Sequence, residues 1–217
     1  MRRALPVLAA LCLGLIAGRI TACNQTNPRP HNPGSPGPTR QAAGGVGVGY
    51  AHTRAGALAA NARYQQAFAD TAILRPGELR KRVEAVATPE YAARMIAANE
   101  PGARRLAQGV LGAGLREGSP TIYFGVPVYY RVLSYSPERA VIRTWGFTIL
   151  GNATTAEPGA YFGSGRTVLT WVEGDWKIAA TRAAFGPTPK LITPRAGGEG
   201  FELVDLIEGM RPYAVAP

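Results

Sequence analysis

Cysteine and histidine are nearly absent: the 217-residue chain has two of each. Cys12 lies inside an apolar run and Cys23 just beyond it, so no thiol follows residue 23. This excludes a disulfide framework and, with His52 alone in the folded region, a soft-metal site. Nothing near Cys23 would lower its pKa as a catalytic thiol requires. His31 stands in a proline-rich stretch and reads as a solvated residue there. Ser-His-Asp catalysis has no support, because Ser119, Ser134, Ser136 and Ser164 fall in strand or turn contexts without a nucleophile elbow. The stretch GSGRT (163–167) lacks the lysine and the spacing of a phosphate-binding loop. No cofactor and no metal is expected. His52 opens a helix and reads as a capping or packing residue.

Acidic charge is also short, with 14 Asp and Glu against 24 Lys and Arg, a net charge of +10. Lysine appears only at 81, 177 and 190, so the basic side chains are almost all arginine. Residues 1–40 hold five arginines and no acid, residues 41–116 ten bases against five acids, and residues 117–217 nine of each. A basic N-terminal half suits anionic lipid headgroups at least as well as nucleic acid, and no specific nucleic-acid partner is expected.

A long hydrophobic run is missing too. Ala4 to Gly18 is 15 residues, short of the roughly 20 that cross a bilayer as a helix, and Arg19 ends it. Arg2 and Arg3 precede it, which is the layout of a secretory signal. The residues Ile20-Thr21-Ala22-Cys23 resemble the lipobox of bacterial lipoproteins. That resemblance implies cleavage before Cys23, a lipid on its thiol, and a domain held by it at the outer face of the cell membrane. The other reading is a single N-terminal span that includes Arg19, with its side chain reaching to the interface. Residues 24–45 (NQTNPRPHNPGSPGPTRQAAGG) have five prolines between Pro28 and Pro38 and no periodicity, and read as a polyproline-like tether. At about 3.1 Å per residue such a tether reaches roughly 60 Å.

From residue 51 the pattern becomes helical. Thr53 or His52 caps a helix with Ala57, Asn61, Tyr64 and Phe68 on one side. A second helix is expected from Pro76, with Leu79, Val83 and Val86 inward and Arg80, Lys81, Arg82 and Glu84 outward. Thr88-Pro89 opens a third, which NEPGARR (99–105) is expected to break before a weaker helix through Leu106 and Val110. After Pro120 the period switches to two. Ile122 to Leu133 reads as a strand with an edge position or bulge at Pro127. SPER (136–139) turns into Ala140–Leu150, which would set Tyr130 near Trp145. Residues 151–165 read as a long glycine-rich loop. Thr167–Val172 and Trp176–Ala184 read as a hairpin about Glu173-Gly174-Asp175. Helices first and about four antiparallel strands after predict an α+β fold, helices packed on one face of a curved sheet, with a candidate pocket on its concave side. Tyr123, Tyr129, Trp145 and Trp171 are the candidate cleft residues. Glu157 and Asp175 are the only hints of paired carboxylates, and both read as exposed. After GGEG (197–200), Leu203, Leu206, Ile207 and Met210 predict a short acidic amphipathic helix, docked on its own domain or in a partner's groove.

Two stretches carry a family resemblance: GYAHTRAGALAANARY (49–64) and RTVLTWVEGDWKIAATRAAFGPTPK (166–190). The hairpin from Trp171 to Ile178 resembles the closing hairpin of nuclear-transport-factor-2-like cone-shaped domains. The unit as a whole is similar to extracytoplasmic actinobacterial proteins encoded with conjugative elements, whose fold is akin to the TcpC-like scaffold subunits of conjugative type IV secretion. The resemblance implies a cone-shaped domain that assembles with envelope or transfer-machinery proteins and is not an enzyme. A ligand-binding or enzymatic cone using the concave face is the alternative. The expected division is a signal at 1–22, a lipid-anchored linker at 23–46, the α+β domain at 47–195 and a tail at 196–217.

Overall fold

Thr53 takes an extended backbone and its hydroxyl accepts from the N–H of Gly56, so helix α1 (Arg54–Ala67) begins there. The structure, a computed structural model, describes residues 37–153, 156–189 and 209–212, all within the unit Asn32–Pro217. The signal segment, Cys23 and the tether up to residue 36 lie outside the described residues. The described residues include a short strand pair on the N-terminal side of residue 49. Strand β1 (Arg40–Gln41) pairs antiparallel with β2 (Gly47–Val48), and Val46 is buried between them and the core.

Along α1, Ala57, Asn61 and Tyr64 are buried as their spacing predicts, Ala60 joins them, and Phe68, at the C-cap, is half-buried. A 3-10 turn at Thr71–Leu74 is capped by Asp70, whose Oδ1 accepts from Ala72 N–H. Helix α2 (Glu78–Val86) follows Gly77, which takes φ 77° and so turns the chain after Pro76. Leu79, Val83 and Val86 face inward as expected. Arg82 does not face out: it is 6% exposed, donating to Ala67 O and, at 3.1 Å, to Asp70 Oδ2. Burial works against the Asp70 carboxylate, but Ala72 N–H and Arg82 together hold its pKa below the usual value. The arginine is inside because it ties the C-terminal end of α1 to the 3-10 turn, a link that helical periodicity does not reveal.

Helix α3 (Pro89–Gln108) starts at Thr88 with Pro89 at its first position and runs through Pro101 without a break. The expected interruption is overridden by tertiary packing. Ala103, Leu106 and Ala107, beyond the proline, pack against the core, and Glu100 pairs with Arg80 of α2 at 3.6 Å. Helix α4 (Val110–Arg116) follows.

The sheet is antiparallel in the order β6-β5-β4-β3-β7, with β3 (Thr121–Tyr135), β4 (Arg139–Asn152), β5 (Ala156–Val172), β6 (Asp175–Phe185) and a two-residue β7 (Arg211–Pro212). Four helices and four long strands make the α+β architecture that the order of patterns predicted. Residues 156–165 are not a loop but the first half of β5, paired with β4 from Ala156 onward and with β6 only from Gly163. Their glycines lower strand propensity, yet pairing with the long β4 imposes the strand. A bulge follows Pro127, so that Tyr129, not Tyr130, lies opposite Trp145, with ring centroids 6.0 Å apart. The acidic helix expected at the C-terminus lies outside the described residues as far as Glu208, and Met210 leads into β7.

Candidate functional site

The two stretches that carry the resemblance interlock. At the β5–β6 turn, Glu173 and Gly174 both take positive φ, a two-residue hairpin that delivers Asp175 inward. Asp175 is fully buried, not an exposed turn residue. Its carboxylate accepts from Gly49 N–H at 2.8 Å, Tyr50 N–H at 3.0 Å and Trp176 N–H at 2.9 Å, and Lys177 Nζ lies 3.9 Å away. Gly49 takes φ 78°, and a Cβ there would come within 2.3 Å of Thr39 Oγ1, so the backbone approach needs glycine. Trp176 Nε1 donates to Ala51 O, and the Tyr64 hydroxyl donates to Trp176 O. Burial, with Asp175 nearby, pushes the Tyr64 phenol well up and keeps it a donor. His52 stacks on Trp171 with centroids 4.0 Å apart, and its Nε2 lies 2.6 Å from Pro137 O. Within this clasp the Asp175 carboxylate, the Trp176 indole and the Tyr64 hydroxyl are satisfied, while the Tyr50 hydroxyl is buried with no hydrogen-bond partner among the described residues.

The open site lies elsewhere, between the helices and the sheet. A cleft of about 670 Å³ is roofed by Gln65, Ala69 and Leu106. Its floor comes from alternate positions of adjacent strands: Tyr123 and Gly125 of β3, Thr144, Gly146 and Thr148 of β4, Tyr161, Gly163 and Gly165 of β5, and Ala183 and Phe185 of β6. Glycine makes the hollow. Where a strand normally sends a side chain up to the helix layer, Gly125, Gly146, Gly163 and Gly165 send none. Gly146 is also locked there, since a Cβ would meet Val126 O at 2.2 Å. Polar groups at the inner end are few and partly committed: Gln65 Nε2 lies 3.2 Å from both Asn61 Oδ1 and Thr144 Oγ1. The ionisable side chains among the lining residues are the phenols of Tyr123 and Tyr161, and burial raises the pKa of Tyr123.

The mouth of the cleft is a strand edge. Tyr91 of α3 satisfies Thr181 on the outer edge of β6, its hydroxyl accepting from Thr181 N–H at 3.0 Å and lying 3.3 Å from Thr181 O. The pleat turns the backbone groups of Ala183 and Phe185 the same way. Phe185, opposite Gly163, is 90% exposed, and Tyr161 of β5 is 49% exposed.

The four expected cleft residues are not brought together. Tyr123 lines the cleft. Tyr129 and Trp145 pair on the opposite face of the sheet, where Trp145 stacks on Phe162 at 5.6 Å and its Nε1 donates to Pro187 O. Trp171 belongs to the clasp. Glu157 falls in β5, and its side chain is outside the described residues. The glycines were missed as site residues. Their signal is the spacing 159, 163, 165, glycines two or four apart in a segment that otherwise alternates. Among the described residues no group of His, Cys, Asp and Glu is placed to hold a metal ion, and no helix is long and apolar enough to cross a membrane.

A family model described as a domain of unknown function, DUF8175, matches residues 25–197. No curated protein and no solved structure matches the chain.

Proposed function

The chain belongs to the DUF8175 domain family, and from that premise we propose that it is a non-enzymatic binding module, held at the extracytoplasmic face of the membrane by a lipid on Cys23. In this reading it assembles with another envelope protein, and the conjugative transfer machinery is the first candidate class. The observation that carries the reading is the form of the cleft. It is mostly apolar, four glycines hollow its floor, the ionisable groups among its lining residues are phenols, and it opens on an outward-facing strand edge beside an exposed Phe185. Such an edge accepts an extended segment by main-chain pairing, while the hollow accepts that segment's apolar side chains. Strand edges of this kind are normally blunted by charge or covered, and here Phe185 does neither. A small apolar ligand in the same cleft is the second reading, favoured by the volume, which falls in the range of small-molecule pockets.

Gly165→Leu is the variant that separates occupancy from folding. A Cβ at Gly165 meets its nearest neighbour, Thr144 Oγ1, at 3.4 Å, an ordinary contact, and the rest of the leucine enters the hollow. A photo-crosslinking residue placed at Phe185 in whole cells should form adducts with an envelope protein, and Gly165→Leu should abolish them. Adducts that persist unchanged in Gly165→Leu, or none in the parent, would overturn the protein-binding reading. In the second case, displacement of Nile red from the parent by a small apolar compound would support the ligand reading.

A further inference from the structure

The face of the sheet away from the helices carries a row of arginines. Arg131 lies directly opposite Arg143, Arg143 opposite Arg166, and Arg166 opposite Arg182. Directly opposed side chains share a face, with Cβ atoms about 5 Å apart, and like charges so placed destabilise a sheet. The strands supply little to offset this. β3 and β4 contain no acidic residue, Glu157 lies at the far end of β5, and Asp175 of β6 is buried in the clasp. Next to the row the same face is apolar: Trp145 stacks on Phe162, with Tyr129 and Phe147 adjoining.

Two points tie the chain after β6 to this face. Pro187 O accepts from Trp145 Nε1 at 3.0 Å. Gly209 O accepts from Arg131 Nε at 3.3 Å, just before Arg211–Pro212 joins the edge of β3. Trp145 lies opposite Tyr129, so Trp145 and Arg131 stand within about 10 Å of each other on the sheet. Residues 190–208, outside the described residues, therefore leave and return at one place on this face. Their sequence from 199 on holds Glu199, Glu202, Asp205 and Glu208 and no base. Glu208 is the chain neighbour of Gly209, whose carbonyl Arg131 holds. Apolar residues are interspersed with these acids, as the face itself joins a basic row to an apolar strip.

We propose that this face is the docking site of the chain's own residues 199–208, whose carboxylates neutralise the arginine row. Charge complementarity and the two tie points carry the assignment. A segment held at both ends beside its site competes at an effective concentration on the order of millimolar or above. A membrane surface, a nucleic acid or a second copy of the chain would have to displace it. Arginine suits the pairing through its planar, bidentate donors.

The test uses the full chain with Arg143→Lys or Arg166→Lys, each of which keeps the charge and supplies an amine for carbodiimide coupling. Mass spectrometry should find an amide link from position 143 or 166 to Glu202, Asp205 or Glu208. About 0.5 M salt should cut its yield severalfold. In an equal mixture of isotope-labelled and unlabelled chains, each link should join residues of one label only. No link to these acids would overturn the proposal, and links of mixed label would give the segment to a second copy. The thermal midpoint of each lysine variant should match the parent's, so a missing link is not a folding failure. A second measurement uses Glu202→Gln/Asp205→Asn/Glu208→Gln. Phenylglyoxal should then modify Arg143 about threefold faster, the size of an exposed ion pair, and Arg80 on the helix layer at its old rate. An unchanged rate at Arg143 would overturn the proposal. So would protection of Arg143 in the parent that appears only with phosphatidylglycerol vesicles, which would assign the row to lipid. Gly165→Leu should leave the links unchanged, so failure here and failure of the cleft reading are separate results.

Discussion

Asp175 shows how one side chain carries a local fold. Its carboxylate gathers three backbone N–H groups from two segments 125 residues apart, at zero exposure. Removing it strands those donors in a dry site, and unsatisfied buried groups of this kind cost on the order of 1–3 kcal/mol each before relaxation. Asp175→Ala should therefore lower stability by about 3–5 kcal/mol, read as a fall in the denaturation midpoint. Trp176→Phe, which loses the Nε1 bond to Ala51 O but keeps much of the ring, should cost less. A near-neutral Asp175→Ala would mean that the N-terminal strands contribute little to the domain. The two resemblance stretches are thus one physical object: the glycine of GYAHT is needed because the aspartate of GDW must reach its backbone.

At the scale of elements, Pro101 is the clearest conflict between local preference and the whole. It removes the N–H that would bond to Ala97 O, and one turn earlier Asn99 Nδ2 donates to Met95 O at 2.8 Å. α3 persists because its later residues pack on the core. Pro101→Ala should restore a helical bond and raise stability by roughly 1–3 kcal/mol, seen as a higher thermal midpoint. A fall instead would assign the proline a packing role. The same contest explains what was legible in the sequence. α1, α2 and the two hairpin turns follow from apolar spacing and turn chemistry, which act within a few residues. The first half of β5 was hidden because its evidence is in its neighbours, and its glycines read locally as loop. The cleft was hidden for the same reason, being made by side chains that are absent. Tyr129, Trp145 and Trp171 had the right chemistry for a wall, but alternation and one bulge placed them elsewhere.

For the whole molecule, the proposed anchor and the cleft make one geometric demand. A cleft that takes a segment of an envelope protein has to be held within that protein's reach. A tether of the length between Cys23 and Arg40 permits that and also permits escape, because at about 3.1 Å per residue it spans roughly 50 Å when extended. The anchor therefore has to be tested by itself. With a lipid on Cys23, mass spectrometry of the mature chain should find an N-terminus at Cys23 carrying the mass of a diacylglyceryl group, and Cys23→Ala should retain residues 1–22. If Arg19 prevents processing, both chains should begin with the same uncleaved segment and partition identically into membranes. That outcome would sink the lipid anchor and revive the short span of residues 4–20, placing a charged Arg19 at the interface. A third result, a soluble Cys23→Ala protein beside a membrane-bound parent, would put the whole anchoring energy in the acyl chains. A single acyl chain binds only reversibly and two hold firmly, so the two chains of a diacylglyceryl group would then account for the anchoring without a second signal from the protein.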